Sequence, residues 1–236
     1  ADVTYTGVIA SGASGMTLAK TGAGKQTLSG ASTYSGGTPV SNGPLLVNNN
    51  TGSGTGSGAV DVSNGATLGG TGSISGAVNV SGVLSPGASI ESLGTGTLTL
   101  NNGSSFKYEM NTDTVGADLL HVTGNLNIGA NVTLDLTDLA SLSEVLAVDT
   151  KFTLLSYTGT WNNGTFNGYA DESTFLFGNN QWRINYNALT GGDNFTADQF
   201  GASGFVTLTV IPEPLSSGLV GLGGLGALMV RRRKRN

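Results

Sequence analysis

The sequence predicts an all-β protein in which short strands stack as a parallel β-helix. Three observations point there. Glycine supplies 39 of the 236 residues, more than twice its usual share of roughly 7%, and it is mixed with Ser, Thr, Asn, Val and Leu without a Gly-X-Y period. Short alternating apolar runs recur in phase: GAVDVSNGATLGG opens at Gly58, GAVNVSGVLSPG opens at Gly76, and GTLTLNNGSSFKYE follows Gly94, again 18 residues on. Charged residues are only 11% of the chain, which argues against charge-rich disorder.

The repeating unit is a glycine, a short strand, a turn such as Ser-Asn-Gly and a second short strand. The first strands carry Val60 and Val62, Val78 and Val80, Leu98 and Leu100. VSNG also stands at 40–43, and GNLNIGANVTLDL at 124–136 repeats the theme. A unit of about 20 residues cannot bury a core alone, so each must cover the next. Strand alternation turns Val60 and Val62 inward and Asp61 outward. Gly and Asn take the corners, where a positive φ is cheap, and stacked Asn and Thr side chains can form ladders. The stretch NNNTGSGTGSG at 48–58 reads as a linker-like insertion.

Composition shifts near residue 137. LTDLASLSEVLAV (136–148) has leucines and a glutamate at helical spacing; it is either one short helix or a loop over the end of the stack. Twelve of the sixteen aromatic residues lie after residue 150. FTLLSYTGTW, GTFNGY, STFLFG, QWRINYN and FVTLTVIP read as strands between Gly/Asn turns. They form a β-rich cap, since an open stack end would expose unpaired strand edges.

The C-terminus is different again. Residues 215–230 carry no charge and five glycines. At about 1.5 Å per residue this segment spans roughly 24 Å, short of a hydrocarbon core of about 30 Å, so it reads as a short, marginal transmembrane helix. Arg231, Arg232, Arg233, Lys234 and Arg235 follow at once and would stay cytoplasmic, placing everything before Pro212 on the far side. These are five of ten basic residues; the remainder has five basic against fifteen acidic residues, a net of −10. A body that acidic repels nucleic acid. Without cysteine there is no disulfide or thiol chemistry. Ala1 opens directly into ADVTYTG with no leader, which suits a removed signal or a piece of a longer protein.

Pro212-Glu213-Pro214, the apolar segment 215–230 and the basic run 231–235 resemble, in all three parts, the PEP-CTERM sorting signal of bacteria. The resemblance implies export, processing near the motif by an exosortase-type membrane enzyme, and association with exopolysaccharide and biofilm. The segment 20–49 resembles the autotransporter-associated β-strand repeat through Lys20, Gly22, Gly24, Leu28, Gly30, Tyr34, Gly36, Gly37 and Thr38. Ser32 replaces its usual Asn, and Pro39 stands where a strand residue is common. Extended over about 5–136, this likeness implies a right-handed parallel β-helix and a scaffold without catalytic residues. No β-barrel translocator follows, so the chain is not read as a complete autotransporter. The expected organisation is a β-helix over 1–136, a β-rich cap over 137–210 and a sorting signal over 211–236.

Candidate chemistry is sparse. The first 105 residues hold three acids (Asp2, Asp61, Glu91) and two lysines (Lys20, Lys25), too few for a long saccharide-cleaving groove. His121, the one histidine, alternates with Leu120 and Val122 and is expected to face outward as a solvated strand residue. Glu109, Asp113 and Asp118 are an oxygen-rich run that fits no calcium-loop spacing, and a solvated acidic loop is preferred. Asp193 in LTGGDNF suits a turn. Trp161, Tyr157, Tyr169, Trp182 and Tyr186 could stack on sugar rings, with Trp161 and Trp182 the candidate glycan contacts, but the core of the cap is the preferred reading for all five. No metal, cofactor or catalytic residue is expected. The sequence therefore predicts an exported, non-enzymatic surface or matrix protein of structural or adhesive role, with an exosortase-type enzyme, exopolysaccharide and, before processing, the membrane as partners. A carbohydrate-binding module is the alternative, tested by glycan binding lost on Trp161→Ala or Trp182→Ala. A polysaccharide-degrading enzyme is the third reading, and it requires oligosaccharide release that depends on one Asp or Glu.

Overall fold

The computed structural model describes residues 2–87, 89–141, 143–194 and 201–213. These residues form nineteen β-strands and no helix, in three sheets that do not close on themselves. Strands are numbered in chain order. The first sheet runs through β1 (Val3–Tyr5), β2 (Gln26–Leu28), β4 (Gly43–Val47), β6 (Ala66–Gly70), β8 (Val83–Pro86), β11 (Ser105–Asn111) and β15 (Thr133–Asp138), each parallel to the next. β12 (Gly116–Ala117) folds back antiparallel on β11. The second sheet is parallel throughout: β3 (Thr38–Val40), β5 (Val60–Val62), β7 (Val78–Val80), β10 (Leu98–Leu100) and β14 (Leu126–Ile128). The third begins parallel, with β9 (Ser92–Thr95), β13 (Leu119–Val122) and β16 (Lys151–Tyr157). It continues antiparallel through β19 (Gly204–Ile211), β18 (Asn180–Ala188) and β17 (Thr174–Phe177).

The alternation expected of β5 holds: Val60 and Val62 are buried and Asp61 is exposed. Register then aligns like with like. Val40, Val62, Val80, Leu100 and Ile128 form one interior row, and Val60, Val78, Leu98 and Leu126 another. All are at most 2% exposed, and each such side chain contributes about 1.5–3 kcal/mol of burial. The first sheet supplies the facing row Leu45, Leu68, Leu84, Phe106 and Leu134.

The glycine spacing needs one correction. The tight column is Gly36, Gly58, Gly76 and Gly96; a methyl group at Gly58 would overlap the carbonyl oxygen of Gly36, and one at Gly76 that of Gly58. Gly94 belongs elsewhere, in β9 of the third sheet, between Ser73 and His121. The 48–58 stretch is likewise no linker. Ser53, Gly54, Thr55 and Gly56 are buried, and this segment is hydrogen-bonded on both sides, Ser32 N to Ser53 O at 2.7 Å and Gly54 N to Ser73 O at 2.9 Å. Small residues there reflect close backbone packing, which composition alone mimics with a flexible tract.

Between the two readings of 136–148, the structure takes the loop. β15 runs through Asp138, and the described residues that follow, up to 150, have no helix or strand. Asp138 draws this loop back by accepting from Thr112 N, Thr112 Oγ1 and Ala140 N, and backbone accepted by side chains has no need of a helix.

The chain then covers the last rung of the stack. Leu126 N donates to Thr160 O at 2.9 Å. The Asn162 amide accepts from Ile128 N at 3.0 Å and donates to Ile128 O at 3.2 Å. An edge strand is thereby paired with a side chain, which blocks further strand addition. No helix among the described residues is long and apolar enough to cross a membrane. The expected transmembrane segment 215–230 lies outside the described residues.

Candidate functional site

The repeat motif residues serve the stack. Lys20 is 8% exposed, and its ammonium donates to the carbonyls of Thr21 at 3.2 Å, Gly22 at 2.8 Å and Asn42 at 2.8 Å. One cation thus ties two successive corners together. Tyr34 is fully buried, with its hydroxyl 2.6 Å from Thr38 Oγ1. Both residue types look chemically competent in sequence, yet their polar atoms are spent on the fold.

His121 overturns the outward expectation. It is 5% exposed, and Nδ1 lies 2.8 Å from Ser156 Oγ, itself fully buried. Alternation does place it opposite Leu120 and Val122, but both faces of this sheet are covered: every residue of β13 is buried, as are six of the seven in β16. Burial lowers the imidazole pKa. The Ser–His pair has no open face for a substrate.

The acidic run does not converge. Asp118 is 1% exposed and accepts from Glu91 N at 3.2 Å and Glu109 N at 3.1 Å. Burial pushes its carboxyl up to about 7, against the two amide bonds that pull it down. Asp113 is exposed and accepts from Ser141. Among the described residues no group of three His, Cys, Asp or Glu is placed to hold a metal. The solvated-loop expectation therefore fails for Asp118, whose environment no local spacing encodes. Asp193 makes the expected turn, exchanging bonds with Lys151 through its backbone N and carboxylate.

The aromatics divide. Trp182, Tyr186 and Tyr157 are at most 2% exposed. Trp182 packs edge-on against Phe152 at 5.7 Å and donates to Phe177 O, so it is core, as preferred, and is withdrawn as a glycan contact because it has no ring face for a sugar. Trp161 is half-buried, stacked on Tyr186 at 5.4 Å, and donates to Gly164 O at 2.7 Å. Tyr169 is also half-buried, edge-on to Phe175 at 4.7 Å. Beside it opens a groove of about 640 Å³ between the turn at 128–131 and the loop at 163–173.

A second surface feature was anticipated as stacked polar side chains. On the outer side of the second sheet, Asn79 Nδ2 donates to Asp61 Oδ1 at 2.8 Å, Asn101 Nδ2 to Ser81 Oγ at 3.0 Å and Asn127 Nδ2 to Thr99 Oγ1 at 3.3 Å. Pro212 and Glu213 are exposed directly after β19. Pro214 and the basic residues Arg231, Arg232, Arg233, Lys234 and Arg235 lie outside the described residues.

With this geometry in place, the family described as Passenger-associated-transport-repeat matches residues 18–47. It is an autotransporter-associated repeat, and the matched stretch holds both Lys20 and the Tyr34–Thr38 pair. No curated protein matches the chain.

Proposed function

We propose that the chain is an exported, surface- or matrix-exposed bacterial protein with a structural and adhesive role and no catalysis of its own. The observation that carries this reading is the passenger-type repeat at 18–47, a repeat of autotransporter passengers and so of exported, surface-associated chains. Its motif residues hold the stack together, leaving the outer polar rows as the surface a partner meets. In this reading the parallel ladders wind as a right-handed β-helix, and the antiparallel strands of the third sheet cap it. Exopolysaccharide is the partner for the outer rows, which present amides, hydroxyls and little charge. The C-terminal Pro212-Glu213-Pro214 motif, the apolar segment and Arg231–Arg235 are a sorting signal processed by an exosortase-type membrane enzyme; this part rests on the residues alone.

The test is the intact mass of the protein recovered from its native host, with protease shaving of whole cells. A mature C-terminus near 212–214 and digestion from outside are the expected results. A retained 231–236 tail would remove the processing step, and a protease-resistant internal protein would remove the surface role. A carbohydrate-binding reading is the second, favoured by the exposed parts of Trp161 and Tyr169.

A further inference from the structure

We propose that the groove between the 128–131 turn and the 163–173 loop binds an uncharged oligosaccharide. The inference deepens the surface-protein reading and rests on it for where the ligand is met. The groove holds about 640 Å³, and no lining residue carries a charged side chain. A volume within roughly 300–1,000 Å³ is that of a small-ligand site.

The lining supplies what a sugar ring needs. Asn131, Asn163 and Asn167 are exposed, and among the described residues their side-chain amides have no hydrogen-bond partner. An amide sets an acceptor beside two donors, the arrangement that neighbouring sugar hydroxyls complement. Asn131 and Asn163 hold left-handed backbone, with φ of 57° and 62°. Both therefore stand at tight backbone corners. Tyr169 adds an aromatic ring that is only half-buried. Rings of this kind carry a negative face that attracts the C–H side of a sugar.

Charge decides the class. Asp171 stands exposed on the same loop, while Glu172 beside it is paired with Arg183 at 3.5 Å, and outside the basic tail the chain carries fifteen acids against five bases. A uronic-acid or sulfated saccharide would meet the Asp171 charge and no cation among the groove's lining residues. The ligand is accordingly neutral.

The experiment is calorimetry of the full 236-residue chain with neutral tetra- to hexasaccharides of glucose, galactose and mannose, and with a uronic-acid oligosaccharide set. The groove variant is Asn163→Gly with Asn167→Ala: glycine keeps the left-handed corner, and neither amide holds the fold. The control is Asn42→Ala with Asn50→Ala, two exposed amides outside both the groove and the outer rows. The expected result is neutral-saccharide binding that weakens roughly tenfold or more in the groove variant and stays within twofold in the control. Hydrogen exchange on the unmutated chain should show the same saccharide slowing amides at 129–131 and 163–169. Equal binding by the groove variant, loss only in the control, preference for the uronic-acid set, or no neutral binding would each overturn the groove assignment. None of these outcomes touches the mass and shaving results, so the two readings fail separately.

Discussion

The parallel stack and the antiparallel sheet at its end solve burial in opposite ways. In the parallel sheets, each inner strand is bonded to a strand on either side, so a thin core of valine and leucine rows suffices and glycine columns let backbones close up. At the end, no further rung covers the interior. Bulk must replace it, and Phe106 stacks on Phe166 at 5.8 Å while Trp182, Tyr186 and Phe152 fill the space beyond. Repetition can therefore be built from small residues, and termination requires large ones. Polar groups differ in the same sense. The stack satisfies them along ladders such as Asn79–Asp61, whereas the end uses single long-range bonds such as Tyr108 Oη to Thr153 O at 2.8 Å.

The sharpest way to break this comparison is at the end sheet. Trp182→Ala should lower stability by about 3–5 kcal/mol, read from urea denaturation; a loss below about 1 kcal/mol would mean the rings do not replace the missing rung. The matching test in the stack is Gly58→Ala. A methyl group there meets the Gly36 carbonyl, and a loss of about 3 kcal/mol is expected. Gly103→Asn is its control, because that glycine has φ +77° and open space, and Asn tolerates the left-handed region; a shift under about 1 kcal/mol is expected. Equal effects at the two glycines would dismiss the column as a packing constraint.

Lys20→Met removes the donor shared by three carbonyls, and roughly 2 kcal/mol should be lost, with the damage confined to the first rungs in hydrogen exchange. Protection lost equally in the end sheet would show that the two regions are not separable.

Asp118 joins the regions, since Asn194 Nδ2 donates to its carbonyl and to Thr153 O. Its carboxyl sits at about 7 in the fold, above the ordinary value near 3.8, so the folded state holds the proton more tightly between those limits. Its stabilising contribution is complete below about pH 4 and is lost as pH rises to about 7, with a slope of at most about 1.4 kcal/mol per pH unit. His121, lowered by burial, works oppositely below about 6.5. The readout is therefore the difference between the unmutated chain and Asp118→Asn, which should slope across pH 4–7; a flat difference would show the carboxyl is not buried. The smallest effect belongs to Tyr34→Phe, about 1 kcal/mol for one buried hydroxyl bond, measured by the same denaturation.

Particular residues show what was legible. Val60, Asp61 and Val62 disclosed their faces because a strand surface with one covered side sorts residues by period two. His121 did not, because period two assigns sides and cannot say whether the second side is covered. Ser53–Gly56 resembled a flexible tract because close packing and flexibility select the same small residues. Trp161 and Trp182 were indistinguishable in sequence, and the structure separated a half-exposed ring from a buried one. The groove had no sequence signal beyond isolated asparagines, since its two walls lie more than thirty residues apart in the chain.

The sequence by itself determined the all-β class, the inward-facing valines and the acidic, weakly charged body. These follow from local alternation and composition, which each residue carries wherever it folds. Only the tertiary structure decided that Gly96, and not Gly94, continues the glycine column, and that Asn162 seals the edge of β14. It likewise decided that Asp118 is dry and that three free amides share one groove. Those outcomes depend on which distant segment arrives alongside, and burial and hydrogen bonding are properties of that pairing.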